Sequence, residues 1–138
     1  MKVKNFVMLG AMAALLAACG GSNIVEPADL NDQRVFFELN SAEISSEARD
    51  NLLGQSLYMK NHADTKIQIA GNCDERGTVE YNLALGARRA NAAKNVLVKD
   101  GIDAKRISTV SYGKERPLVK GSGEQAWKWN RNATTTVK

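Results

Sequence analysis

Residues 65–101 hold the feature that constrains the fold most: a short alternating run followed at once by a long capped stretch. In "TKIQIAG", residues 65–71, Ile67 and Ile69 alternate with Lys66 and Gln68. A period of two predicts a strand with one buried face. A turn at 72–77 follows. Thr78 then stands where a helix N-cap is wanted, and Gly101 where a helix stops. Between them Leu83, Ala87, Ala90 and Leu97 fall at i, i+4, i+7 and i+14 and predict one apolar helical face. Arg89 is expected on a different face. The alanines permit close approach to a sheet. Such a strand and helix must bury their faces on each other, which points to an α/β layered fold.

The flanking segments extend that pattern. Residues 34–39, "RVFFEL", predict a strand. Ser45 can cap a helix over 46–62, with Glu47 well placed in its first turn. Ala48, Leu52, Leu53, Leu57 and Met59 supply its stripe, and Gly54 weakens it slightly. Residues 106–113 and 131–138 are strand-like. Between them lie a polar loop with Pro117, Gly121 and Gly123, then "EQAWKWN". Trp127 and Trp129 there are expected to pack rather than to stack bases. The expected order is β-α-β-α-β-β, one mixed sheet with helices on one face.

The N-terminus addresses location. Lys2 and Lys4 precede an apolar run from Phe6 to Ala18, broken by Gly10. The run is shorter than the roughly 20 residues a bilayer span needs, and its layout is that of a secretory signal. Leu16-Ala17-Ala18-Cys19 resembles a bacterial lipobox, which implies cleavage before Cys19 and its acylation. Gly20 after the cysteine favours the outer membrane. Expected segments are thus a signal peptide at 1–18, a lipidated tether at 19–33 and a domain at 34–138. The tether reaches about 50 Å when fully stretched. Half of the formal +4 charge sits on Lys2 and Lys4. What remains is a weak argument for nucleic acid, which calls for a clustered basic stripe. With Cys19 acylated, Cys73 has no partner for a disulfide and reads as a small buried hydrophobe. A single histidine, His62, leaves little from which to build a metal site.

The turn "GNCDERG", residues 71–77, and Arg88-Arg89 in the following helix raise the question of chemistry. Gly71 and Gly77 bracket the turn and allow close backbone approach. A long arginine at 89 can lean towards the helix N-terminus and Asp74. An anion and a cation across a gap suit a zwitterionic amino-acid end. Asp74 would take the ammonium and Arg89 the carboxylate, which its planar fork binds bidentately. In that open pocket both charges stay hydrated. The structural alternative is an Asx-type turn at Asp74 with a simple salt bridge, and spacing does not choose between the two. Catalysis finds no support: Asp74 and Glu75 are adjacent and diverge, and no Ser-His or Cys-His set can be nominated.

The run "GNCDERGTVEYNLALGARRANAAKNVLVKDGI", followed by "RISTVSYGKERPLVKG", resembles the OmpA-like peptidoglycan-binding domain family. The resemblance covers about residues 34–138. It implies the family's two-layer sandwich and a non-catalytic domain without cofactors. It also implies that peptidoglycan is held through the diaminopimelate of the stem peptide, with Asp74 and Arg89 as principal contacts and Phe37 lining the pocket. For lipid-anchored members it implies the periplasmic partner TolB and a role in envelope constriction at division. A scaffold or adaptor of the Tol system with weakened wall affinity is the alternative. Four positions depart from the family pattern. Glu38 stands for an aspartate, Leu39 for a phenylalanine, Asn72 for a histidine or aromatic, and Asn132 for an arginine.

Overall fold

A computed structural model describes residues 24–138. Strand β1 spans Arg34–Phe36, helix α1 Ser46–Asn61, strand β2 Ile67–Asn72 and helix α2 Val79–Lys99. A 3₁₀ turn at Ala104–Arg106 leads into β3 at Ile107–Gly113. Helix α3, Glu124–Asn130, then precedes β4, Asn132–Val137. The expected order stands, with the short α3 set between the last two strands. The four strands lie in the order β1-β4-β2-β3. Strands β2 and β3 run parallel, whereas β4 pairs antiparallel with both β1 and β2.

The ends of the helices follow from their capping residues. Ser45 Oγ accepts from the Ala48 amide at 3.0 Å, and Thr78 Oγ1 from the Tyr81 amide at 3.0 Å. Each satisfies an amide that the first helical turn would leave unpaired. Gly101 closes α2 at φ 107°, a left-handed conformation that suits glycine. Ile67 and Ile69 of β2 join Leu52 and Met59 of α1 and Ala90 and Leu97 of α2 in one core beneath the helices. Where β2 meets α2 the contact is between backbones. A Cβ on Gly71 would collide with the Gly86 carbonyl, and one on Gly86 would collide with Ser111 Oγ.

Two expected stripes shift. In α2 the buried face runs through Asn82, Leu85, Gly86, Arg89, Ala90, Ala93, Val96 and Leu97. Leu83 is exposed, and Arg89 lies on the buried face rather than off it. Two polar residues belong to that face, so counting apolar residues alone rotated it. In α1, Leu57 is exposed while Gln55 and Ser56 are buried. Gln55 is satisfied by Thr135 Oγ1, which donates to its Oε1 at 2.6 Å.

The expected free tether needs a larger correction from residue 24 onward. Leu30 is fully buried in the core. The Asp32 amide donates to the Thr135 carbonyl at 2.7 Å, and the Val137 amide to Asn31 Oδ1 at 2.9 Å. Gly54 has no side chain because the Val25 carbonyl occupies that space. Residues 24–33 are thus laid on the domain. The first strand is also shorter than expected, because the chain leaves the sheet after Phe37 and passes through Asn40 at φ 57°. Among the described residues no helix is long and apolar enough to cross a membrane. The expected signal peptide and the expected lipidation site, Cys19, lie outside the described residues.

Candidate functional site

Asp74 lies two residues past the end of β2 and is nearly inaccessible, at 4% exposure. Its Oδ1 accepts from the Arg76 amide at 3.0 Å, so the Asx-type turn does form. The Arg76 side chain then closes a fork on the same carboxylate, Nε to Oδ1 at 3.2 Å and Nη2 to Oδ2 at 2.7 Å. Arg131 adds a longer contact, Nη1 to Oδ2 at 3.5 Å. The ion-pair partners of Asp74 are therefore Arg76 and Arg131 rather than Arg89. Burial works to raise the Asp74 pKa. The hydrogen bonds and charge of Arg76, with Arg131, outweigh it and hold the carboxyl below its ordinary value.

Arg89 is 1% exposed, so it is not a hydrated charge in an open pocket. Its guanidinium gathers three backbone carbonyls. Nε donates to Ser41 at 2.8 Å, Nη1 to Asn72 at 2.9 Å and Nη2 to Glu38 at 2.9 Å. The Phe37 ring centroid lies 5.2 Å from the guanidinium carbon. Arg89 thus fixes the course of residues 38–41 over the end of β2. Burial pulls its pKa below the ordinary arginine value, with the Asp74 charge opposing. Cys73 is buried as expected, and its Sγ sits 3.3 Å from the Asn82 carbonyl. Burial pushes its thiol pKa up despite Arg89, which disfavours the reactive thiolate.

Asp74 and Arg89 nonetheless meet at one place. Both line a cavity of about 10 Å³, walled also by Leu39, Asn40, Arg76 and Leu85. That is about the space of one water. Beside it, Phe36, Phe37, Glu38, Glu43, Lys128 and Arg131 help to line an open cleft of about 530 Å³. Glu38 and Ser41 face the cleft while Leu39 and Asn40 face the cavity, so this segment is their common wall.

Sequence reasoning missed Arg131 and Arg76 as parts of the site. Arg131 is buried. It donates from Nε to the Phe37 carbonyl at 2.8 Å and forks onto Glu124 at 3.2 and 2.8 Å. Its role depends on β4 lying beside both β1 and β2, which no local signal reveals. Arg76 was legible, since two residues after an Asx-turn aspartate a long cation can return to its carboxylate. The tryptophans divide. Trp127 packs under Arg76, 3.8 Å from ring centroid to guanidinium carbon, whereas Trp129 is half exposed, edge-on to Phe36. Among the described residues no three His, Cys, Asp or Glu side chains gather to hold a metal.

The sequence profile of the OmpA family matches residues 36–131. The chain belongs to the OmpA family. A peptidoglycan-associated lipoprotein of Mesorhizobium japonicum is 36% identical, with 97% of this chain and 92% of that protein aligned. One of Pasteurella multocida is 38% identical over 96% of both chains. The crystal structure of the peptidoglycan-associated lipoprotein from Burkholderia pseudomallei superposes with a TM-score of 0.75 at 38% identity. It covers 77% of this chain and 90% of that one. This OmpA-family chain is accordingly not an enzyme.

Proposed function

We propose that this chain is an outer-membrane lipoprotein that binds peptidoglycan non-covalently and so links membrane to wall. The observation that carries the reading is the near full-length similarity to proteins named peptidoglycan-associated lipoprotein. Acylated Cys19 is the anchor, and residues 34–138, extended back to residue 24, form the wall-binding domain in the periplasm. Partnership with TolB, and a part in envelope integrity and division through the Tol-Pal system, belong to the same reading. At the residue scale, Asp74 takes the ammonium and Arg89 the carboxylate of diaminopimelate, with Phe37 lining the site. Support comes from the two opposite charges facing one cavity. That cavity is too small for an amino-acid end, so binding requires its walls to part. The same observation favours a second reading, a Tol-Pal scaffold with weakened wall affinity.

Co-sedimentation with purified sacculi separates the two. Wild type is expected in the pellet and diaminopimelate is expected to release it. Disrupting one partner of a desolvated charge contact costs about 2–5 kcal/mol, roughly 30-fold or more in affinity. Asp74→Asn should therefore leave the pellet while Lys94→Ala, further along α2, stays. Sedimentation of folded Asp74→Asn at the wild-type level would end the diaminopimelate assignment. A wild type that stays in the supernatant would favour the scaffold.

A further inference from the structure

In this conformation the acceptor contacts of Asp74 all go to Arg76 and Arg131. The group holding it is Arg76, one third exposed, at the boundary between the buried carboxylate and solvent. Two observations separate the Arg76 side chain from its backbone. The backbone is fixed independently, because its carbonyl accepts from Asn82 Nδ2 at 2.7 Å and its amide is held by Asp74 Oδ1. The guanidinium, in contrast, already rests on the Trp127 indole, 3.8 Å from the centroid. That ring is fixed by its Nε1, which donates to Glu75 Oε2 at 2.8 Å. Ser122 Oγ donates to the same oxygen at 2.6 Å. Leaving Asp74 would therefore not unravel the turn, but it would shift the guanidinium over the Trp127 indole, a movement that indole emission reads.

We propose that Arg76 is a resident counter-ion that a ligand ammonium must displace from Asp74, and that it thereby sets both the affinity and the ammonium requirement of the site. This deepens, and rests on, the assignment of Asp74 to the diaminopimelate ammonium. Exchange of one cation for another leaves Asp74 paired before and after, with Arg131 a constant second partner at 3.5 Å. A ligand without an ammonium offers nothing in return for the lost pair. Pimelate, which has both carboxylates and neither amine, should therefore fail to displace Arg76.

The test is calorimetric titration of diaminopimelate and pimelate into the full chain, with Trp127 emission followed in a Trp129→Phe background. Arg76→Gln removes the competing charge and keeps an amide near Asp74. It is expected to bind diaminopimelate about threefold to tenfold tighter, the scale of a partly exposed ion pair. In the Arg76-containing chain, diaminopimelate should change Trp127 emission and pimelate should not; in Arg76→Gln that change should vanish. Equal or weaker binding by folded Arg76→Gln would overturn the proposal. If that variant does not fold, the wild-type indole decides: emission unchanged at saturating diaminopimelate overturns the proposal. Wild-type binding by Asp74→Asn would instead reject the underlying site assignment, and the counter-ion role with it.

Discussion

At the scale of single residues, charge placement explains what the turn and the double arginine do. Arg88 is exposed and Arg89 is buried, so adjacent identical residues serve unlike ends. Removing the Arg89 side chain would strand three carbonyls, and a buried unsatisfied group costs about 1–3 kcal/mol. Its loss therefore weakens the fold as well as any ligand site, contrary to the hydrated charge that the sequence suggested. Two of the positions that depart from the family pattern also explain each other. Asn72 and Asn132 are register partners in the β2–β4 pair, and Asn72 Nδ2 donates to Asn132 Oδ1 at 2.9 Å. Sequence alone shows two separate changes; their meeting becomes visible only with the strand register. Asp74 yields a pH prediction. Its folded pKa lies below the unfolded value of about 3.9. Its contribution to stability is therefore present above that unfolded value and lost as pH falls through the folded pKa. Wild type should melt above Asp74→Asn by a margin that is widest near about pH 6 and narrows below about pH 4. A margin that stays constant across paired melting curves would show that the carboxylate charge does not stabilise the fold.

At the scale of elements, two glycines set a strand and a helix directly against each other. Gly71 in β2 and Gly86 in α2 let strand and helix backbones touch, and Ser111 of β3 fills the remaining space. This contact sets the height of α2 above the sheet, and so where Arg89 meets the Asn72 carbonyl. Overpacking a tight core commonly costs about 1–3 kcal/mol. Gly86→Ala should cost at least that, since the atoms in its way include backbone. Helix propensity alone predicts the opposite sign, because alanine is favoured over glycine by about 1 kcal/mol. Denaturant unfolding distinguishes them: a variant as stable as wild type would mean the backbones can separate without loss. Most elements were legible because their signals are local. Alternation marked β2, and hydroxyls marked both long helices at their starts. The face of α2 was not, since Asn82 and Arg89 lie on it for reasons held by distant partners. Asn82 is there to grip the Arg76 and Thr78 carbonyls. Arg89 is there to hold a loop that begins some fifty residues earlier in the chain.

At the scale of the whole molecule, the question is where the domain begins. Composition placed the boundary at residue 34, because Pro27 and few large apolar groups made the preceding stretch resemble a linker. One leucine in that stretch decides otherwise. Leu30 is fully buried, whereas Val25 remains 73% exposed, so the docked segment is held chiefly at its C-terminal end. Its backbone and side chains then tie the Asp32 and Val137 amides to neighbouring oxygens. Glu26 adds a contact to Asn61 Nδ2 at 3.0 Å. A chain begun at residue 24 keeps all of these, and one begun at residue 34 loses them all. Emptying a buried leucine site costs about 2–5 kcal/mol, and each lost hydrogen bond about 1 kcal/mol more. In a domain of this size that lowers the melting temperature by on the order of 10 °C or more. Leu30→Ala in the longer chain should reproduce most of the loss, and Val25→Ala very little. Equal melting temperatures for the two truncations would return residues 24–33 to the tether. With the expected difference, the domain begins before Leu30. In the proposed lipid-anchored reading, the domain is then held nearer the membrane than a linker running to residue 33 would allow.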